Sequence, residues 1–147
     1  FVGLHVALIT MAGIISTPIM GNVSDRMGRR PVIAFAMTAM TILIFLFLLF
    51  DSGLGMTLLI AVLGLFFFSV MPIINAAAMD MIDKGSEGSG TALMFSGGAV
   101  IGSLTPIAAG FINQSNGFQG VVIFAGIIAA AGAILSLVLP MKTQANI

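Results

Sequence analysis

The sequence contains no cysteine, which excludes disulfide, thiol and cysteine-ligated metal chemistry. It contains neither tryptophan nor tyrosine, so the interfacial aromatic belt that often marks the edges of membrane spans is missing. Charge is scarce as well: 7% of residues are Asp, Glu, Lys or Arg, against about 25% in an average soluble domain. A single histidine cannot build an H-E-x-x-H zinc site, and no G-x-S-x-G nucleophile elbow occurs. What remains is hydrocarbon, with 59% apolar residues and a mean hydropathy of +1.21 over 147 residues. Such a chain belongs in a bilayer.

Uncharged runs cover residues 1–24 (His5 aside), 31–50, 52–79 and 88–141. Crossing a hydrocarbon core of about 30 Å takes roughly 20 residues at about 1.5 Å each. The last run is long enough for two crossings and is divided at the polar turn formers Asn113, Gln114, Ser115, Asn116 and Gly117. The expected architecture is all-α, a polytopic bundle of five spans near residues 1–20, 31–50, 56–79, 89–112 and 120–140, with loops at 21–30 and 80–88. A transmembrane barrel is excluded, because residues 41–50 are almost continuously apolar where a barrel strand alternates. The chain opens at Phe1 inside an apolar segment without a basic leader, which reads as a fragment lacking a signal peptide.

With five alternating spans, Arg26, Arg29, Arg30, Lys84 and Lys142 all fall on one side, the asymmetry of cytoplasmic loops. Four of the ten formal charges lie within residues 21–30. Charged groups cost roughly 2.5–3.5 kcal/mol each at mid-bilayer on insertion scales, so this stretch is expected at the surface as a hinge between two spans. Gly21 suits a close approach or a helix end, Gly28 a positive φ, and Pro31 the first turn of the next helix. Asp25 has two readings, capping the start of span four near Gly88, Ser89, Gly90 and Thr91, or stabilising the start of span two.

The pattern G-x-x-x-D-R-x-G-R-R, filled by Gly21, Asp25, Arg26, Gly28, Arg29 and Arg30, resembles the signature loop of the major facilitator superfamily, found between the second and third helices and repeated between the eighth and ninth. Glu87, Gly90, Thr91, Ala92, Pro106 and Gly110 are similar to the eleventh helix of the same family; Ser89 departs from it, standing where a basic residue is common. Span three lacks the arginine of many fourth helices, and residues 117–120 lack the Trp-Arg common before the sixth. The resemblance therefore points to helices eight to twelve of a twelve-helix transporter. It implies a secondary active transporter that moves a small solute by alternating access, with Asp25 and the arginines as a cytoplasmic charge lock and substrate held near the midplane between two rocking halves. Its implied partners are the small-molecule substrate, the lipid bilayer and the missing half, with no nucleic acid, metal or cofactor.

Elsewhere the helical spacing defines faces. His5, Ile9, Ala12 and Ser16 share one, which makes His5 and Ser16 candidates for a substrate or proton path; His5 is the only proton-relay candidate, with a substrate contact, or a hydrogen bond to a neighbouring helix near the outer interface, as its other readings. Met71, Asn75 and Met79 share another, one turn from a kink at Pro72, able to contact substrate or a neighbouring helix. Span two, poor in small residues, is expected to face lipid. Gly90, Gly98, Gly102, Pro106 and Gly110 form a four-residue ladder for close helix packing, as do Ala125, Ala129 and Ala133. The acidic loop of residues 80–87 can pair with the arginines. Two other function classes, a non-transporting membrane scaffold and an intramembrane enzyme, are weighed against transport; the enzyme would need paired catalytic groups at depth, and all five acids lie at loops or span ends.

Because the chain has no native cysteine, Arg29→Cys and Lys142→Cys introduced into the intact protein are expected to react with a membrane-impermeant maleimide from the same side of the bilayer. Modification from opposite sides would undo this topology.

Overall fold

The computed structural model describes residues 2–50 and 53–138; Pro140 and Lys142, and with them the end of the fifth expected span, lie outside the described residues. The architecture is all-helical: α1 (Val2–Met27), α2 (Arg29–Leu46), α3 (Leu54–Met79) and α4 (Glu87–Val138). In lipid the backbone must satisfy its own hydrogen bonds, and continuous helices do so. Each of the four is long and apolar enough to cross a membrane.

The count differs from the expected five. Residues 113–116 do not form a loop; the chain stays helical through them, and only Gly117 leaves helical dihedrals, at φ 64 and ψ −164. The polar cluster reads as a break, but Asn, Gln and Ser cost a helix only a fraction of a kcal/mol each, about 0.7 at most, so the four in a row still hold helical geometry. A straight helix of 52 residues would reach about 78 Å, more than twice the hydrocarbon thickness. Instead the chain folds back sharply, since a Cβ added at Gly120 would come within 2.9 Å of the Ile112 side chain. The arm before Gly117 starts beside Ile82, and the arm after it packs antiparallel on α2, with Gly126 against Phe45 and Gly132 against Met37.

The first expected boundary also moves. α1 does not end near Gly21 but runs on to Met27, so the reversal into α2 is made at the single residue Gly28. Its φ of 95 and ψ of 152 lie in a region essentially confined to glycine. Pro31 falls in the first turn of α2, where its missing N–H is harmless.

The main packing pair is α1 on α3. His5 meets Thr57, Ile9 meets Gly64, Gly13 meets Phe68 and Ser16 meets Ser69, so partners advance together and the helices run parallel. Contact is backbone to backbone: a Cβ at Gly64 would sit 2.6 Å from the Ile9 carbonyl oxygen. Such small-residue contacts are how membrane helices associate when lipid and side chains are equally apolar. α2 is not the lipid-facing scaffold expected of it. Val32, Ile33, Ala34, Ala36 and Met40 are buried, and two clusters, Val32, Ile33, Ile73 and Ala77 beside Ala36, Met40 and Val70, join α2 to α3. Only one side, with Phe35 and Ile42, stays exposed. Ala129 and Ala133 are buried as the alanine ladder predicts.

Gly64→Ala is expected to destabilise the bundle by about 1–3 kcal/mol, because a methyl group has no room between two backbones. Gly21→Ala, whose Cβ meets nothing within 4 Å, is expected to be neutral or to stabilise by up to about 1 kcal/mol. Thermal unfolding of the intact protein in detergent compares the two.

Candidate functional site

The charged residues of α1, α2 and α3 converge at one end of the bundle. Arg29, the first residue of α2, donates from Nη1 to Asp25 Oδ1 at 2.5 Å and from Nε to Asp80 Oδ2 at 3.1 Å. One guanidinium thereby ties the end of α1 and the C-terminal cap of α3 to the start of α2. The reversal at Gly28 is what allows it: Gly28 N–H donates to the Ser24 carbonyl at 3.0 Å, and the immediate start of α2 holds Asp25 and Arg29 four residues apart across the turn. The two pairs differ in setting. The Asp25 side chain is 63% exposed, whereas Asp80 is 28% and Arg29 20% exposed.

Of the six signature residues, Asp25, Gly28 and Arg29 are thus brought together, while Arg26 and Arg30 are exposed and make no ion pair among the described residues. Gly21 lies in mid-helix with no close neighbour. Asp25 does not cap the start of α4; its carboxylate is engaged by the first residue of α2, in line with the second of its two readings. The start of α4 is served locally, with Gly90 N–H donating to the Ser86 carbonyl at 2.9 Å, and Glu87 accepts from Gly85 N–H at 2.8 Å. Among the acids of the 80–87 loop only Asp80 reaches an arginine; Asp83 and Glu87 make no ion pair among the described residues.

Asp80 is the group that sequence reading did not single out. Its signal was its position, the first residue after the last apolar turn of α3, on the side assigned to the arginines. Ser24 was also missed. It is 1% exposed, and its Oγ has no hydrogen-bond partner among the described residues; it continues the small, buried face begun by Gly13 and Ser16.

The other candidates separate. Ser16 is buried and bonded: its Oγ lies 2.7 Å from Ser69 Oγ and 2.6 Å from the Leu65 carbonyl, which also accepts from Ser69 at 2.6 Å. Two hydroxyl protons serve three contacts, a buried cluster cementing α1 to α3. His5 Nε2 is 3.1 Å from Thr57 Oγ1, a bond to a neighbouring helix. Asn75 is half-buried and makes no hydrogen bond among the described residues, between Met71 and Met79 on a partly exposed face. Thr91 Oγ1 lies 3.3 Å from the Met79 sulfur, placing that face beside the first arm of α4. Gly98, Gly102 and Gly110 have nothing within 4 Å, so the ladder expected to pack a helix has no partner among the described residues.

The family model of the Major Facilitator Superfamily matches residues 1–146. The chain is 31% identical over 139 residues to the multi-drug resistance efflux pump PmrA of Streptococcus pneumoniae, in each of two strains, a match that covers 93% of this chain and 34% of the relative. The chain therefore spans about a third of the length of the curated relatives it matches. No solved structure matches.

Asp80→Asn is expected to lower stability by about 1–2 kcal/mol, because it weakens a charged hydrogen bond between two helices in a half-buried setting. Asp25→Asn, an exposed pair four residues apart, is expected to lose about 0.5 kcal/mol or less. Chemical unfolding of both variants in the same detergent ranks them, and the reverse order would assign the tie to the wrong acid.

Proposed function

The chain belongs to the Major Facilitator Superfamily, and on that premise we propose that it is part of a secondary active transporter, with Asp25, Arg29 and Asp80 as a cytoplasmic lock on its alternating-access cycle. The observation that carries the reading is the single guanidinium shared by Asp25 and Asp80. A bridge of two ion pairs between helix ends is strong enough to bias a conformation and weak enough to open in each cycle. Pairs of this kind contribute on the order of 0.5–3 kcal/mol, the range in which populations shift several-fold to a hundredfold.

The clustering of basic residues at this end supports a cytoplasmic boundary there, and on this reading α1, α2, α3 and the two arms of α4 correspond to helices eight to twelve. The bare ladder of Gly98, Gly102, Pro106 and Gly110 faces the part of the transporter outside this chain, where small residues let another backbone approach. Met71, Asn75 and Met79 contribute to the solute path, adaptable thioethers around one amide suiting apolar or amphipathic solutes of varied shape. The relative's name, a multi-drug efflux pump, supports export of such solutes. His5 is the proton-coupling candidate, through the hydrogen bond between its Nε2 and Thr57 Oγ1.

Vesicles reconstituted with the intact protein test the reading. Solute flux is expected to fall about tenfold in Asp80→Asn, corresponding to a change of about 1.4 kcal/mol between states. Undiminished flux in that variant removes the lock, and absence of flux in the unaltered protein favours a membrane scaffold.

A further inference from the structure

We infer that the groove between α1 and α2, at the end of the bundle that carries the arginines, is a site for an anionic phospholipid, with an acyl chain in the groove and the phosphate held by Arg26 and Arg30. The groove has a volume of about 330 Å³ and is lined by Met20, Val23, Met27, Pro31, Val32 and Phe35. It brackets Gly28, occupying the last two turns of α1 and the first two of α2. None of its six lining residues offers a side-chain donor, and the acceptors are only the weak thioethers of Met20 and Met27, so a polypeptide backbone laid there would lose its hydrogen bonds to water with little replacement. An acyl chain loses nothing, and two of the lining side chains, Met20 and Met27, are long and flexible enough to follow its bends.

Charge supplies the second half of the argument. Arg29 is neutralised by Asp25 and Asp80. Arg26 and Arg30 each precede a lining residue, Met27 and Pro31, and both are exposed without an acid partner among the described residues. Long guanidinium side chains at a helix end reach along apolar surface to the headgroup level. A free anion has no use for the groove, and a zwitterionic lipid brings its own cation beside the phosphate and so gains less from two arginines. An amphiphile with an anionic head uses both. The site stands apart from transport, since it requires only that these helices sit in a bilayer.

The absence of tryptophan in this chain makes Phe35→Trp a reporter inside the groove, with Met27→Trp as a second reporter should the first not fold. The intact protein, with tryptophans elsewhere changed to phenylalanine, is placed in phosphatidylcholine nanodiscs containing either phosphatidylglycerol or phosphatidylcholine with brominated chains. Brominated phosphatidylglycerol is expected to quench at a mole fraction about tenfold lower than brominated phosphatidylcholine, and Arg26→Gln with Arg30→Gln is expected to bring the two near parity. Equal quenching by both lipids, selectivity that survives the double substitution, or no quenching by either, as when another part of the protein covers the groove, overturns the assignment. The readout is lipid binding, so its failure leaves the transport reading untouched.

Discussion

Arg29 is where the geometry of three helices meets. It can hold Asp25 and Asp80 together only because α1 turns into α2 at one residue, and that turn is possible only because Gly28 has no side chain to clash at φ 95. The cluster sits at the boundary because charge cannot go deeper without several kcal/mol of penalty. Backbone sterics, ion pairing and the dielectric of the bilayer therefore select the same place for the same residues. The result is a polar knot that terminates an otherwise apolar bundle.

Away from that end, stability comes from closeness of approach. Lipid chains are as apolar as leucine, so burying leucine against leucine gains little in a membrane, and dispersion between well-fitted backbones must supply the difference. Gly64 against the Ile9 backbone and Gly13 against Phe68 supply such fit, with the Ser16, Ser69 and Leu65 contacts between the same helices. The α2–α4 contact repeats the device with Gly126 under Phe45 and Gly132 under Met37. The first arm of α4 lacks it, and that arm is the one left exposed.

What could be read from the sequence follows from which forces are local. Hydropathy over a span is a sum over neighbours in the chain, so the helical class, the membrane setting and the ends of α3 were legible. The His5, Ile9, Ala12 and Ser16 face was legible from spacing alone, and it is the face turned to α3. Partner choice was not. Five acids compete for three arginines, and only the placement of the α3 cap against the start of α2 selects Asp80. The division expected at residues 113–117 shrinks to a kink at Gly117 for a related reason: polar residues permit a break, but dihedrals decide it, and one glycine suffices. α2 was misplaced because Leu, Ile and Phe serve equally well against lipid and against other helices, so composition does not tell the two apart.

The parallel register of α1 and α3 has a mechanical consequence for the proposed cycle. Ser16 lies opposite Ser69, and just beyond each comes a proline, Pro18 in α1 and Pro72 in α3. Each proline removes one hydrogen bond and loosens its helix there. Both weak points thus fall between the same two fastenings, the buried serines on one side and the Arg29 bridge on the other. With the bridge closed, the two end segments are constrained at both limits and their prolines have little freedom. Opening it leaves them held by the serines and by the apolar cluster of Ile73 and Ala77 with α2, so they swing together as segments packed side by side. A lock at the tip and paired hinges behind it act as one device only if the helices run in the same direction, which is how α1 and α3 run.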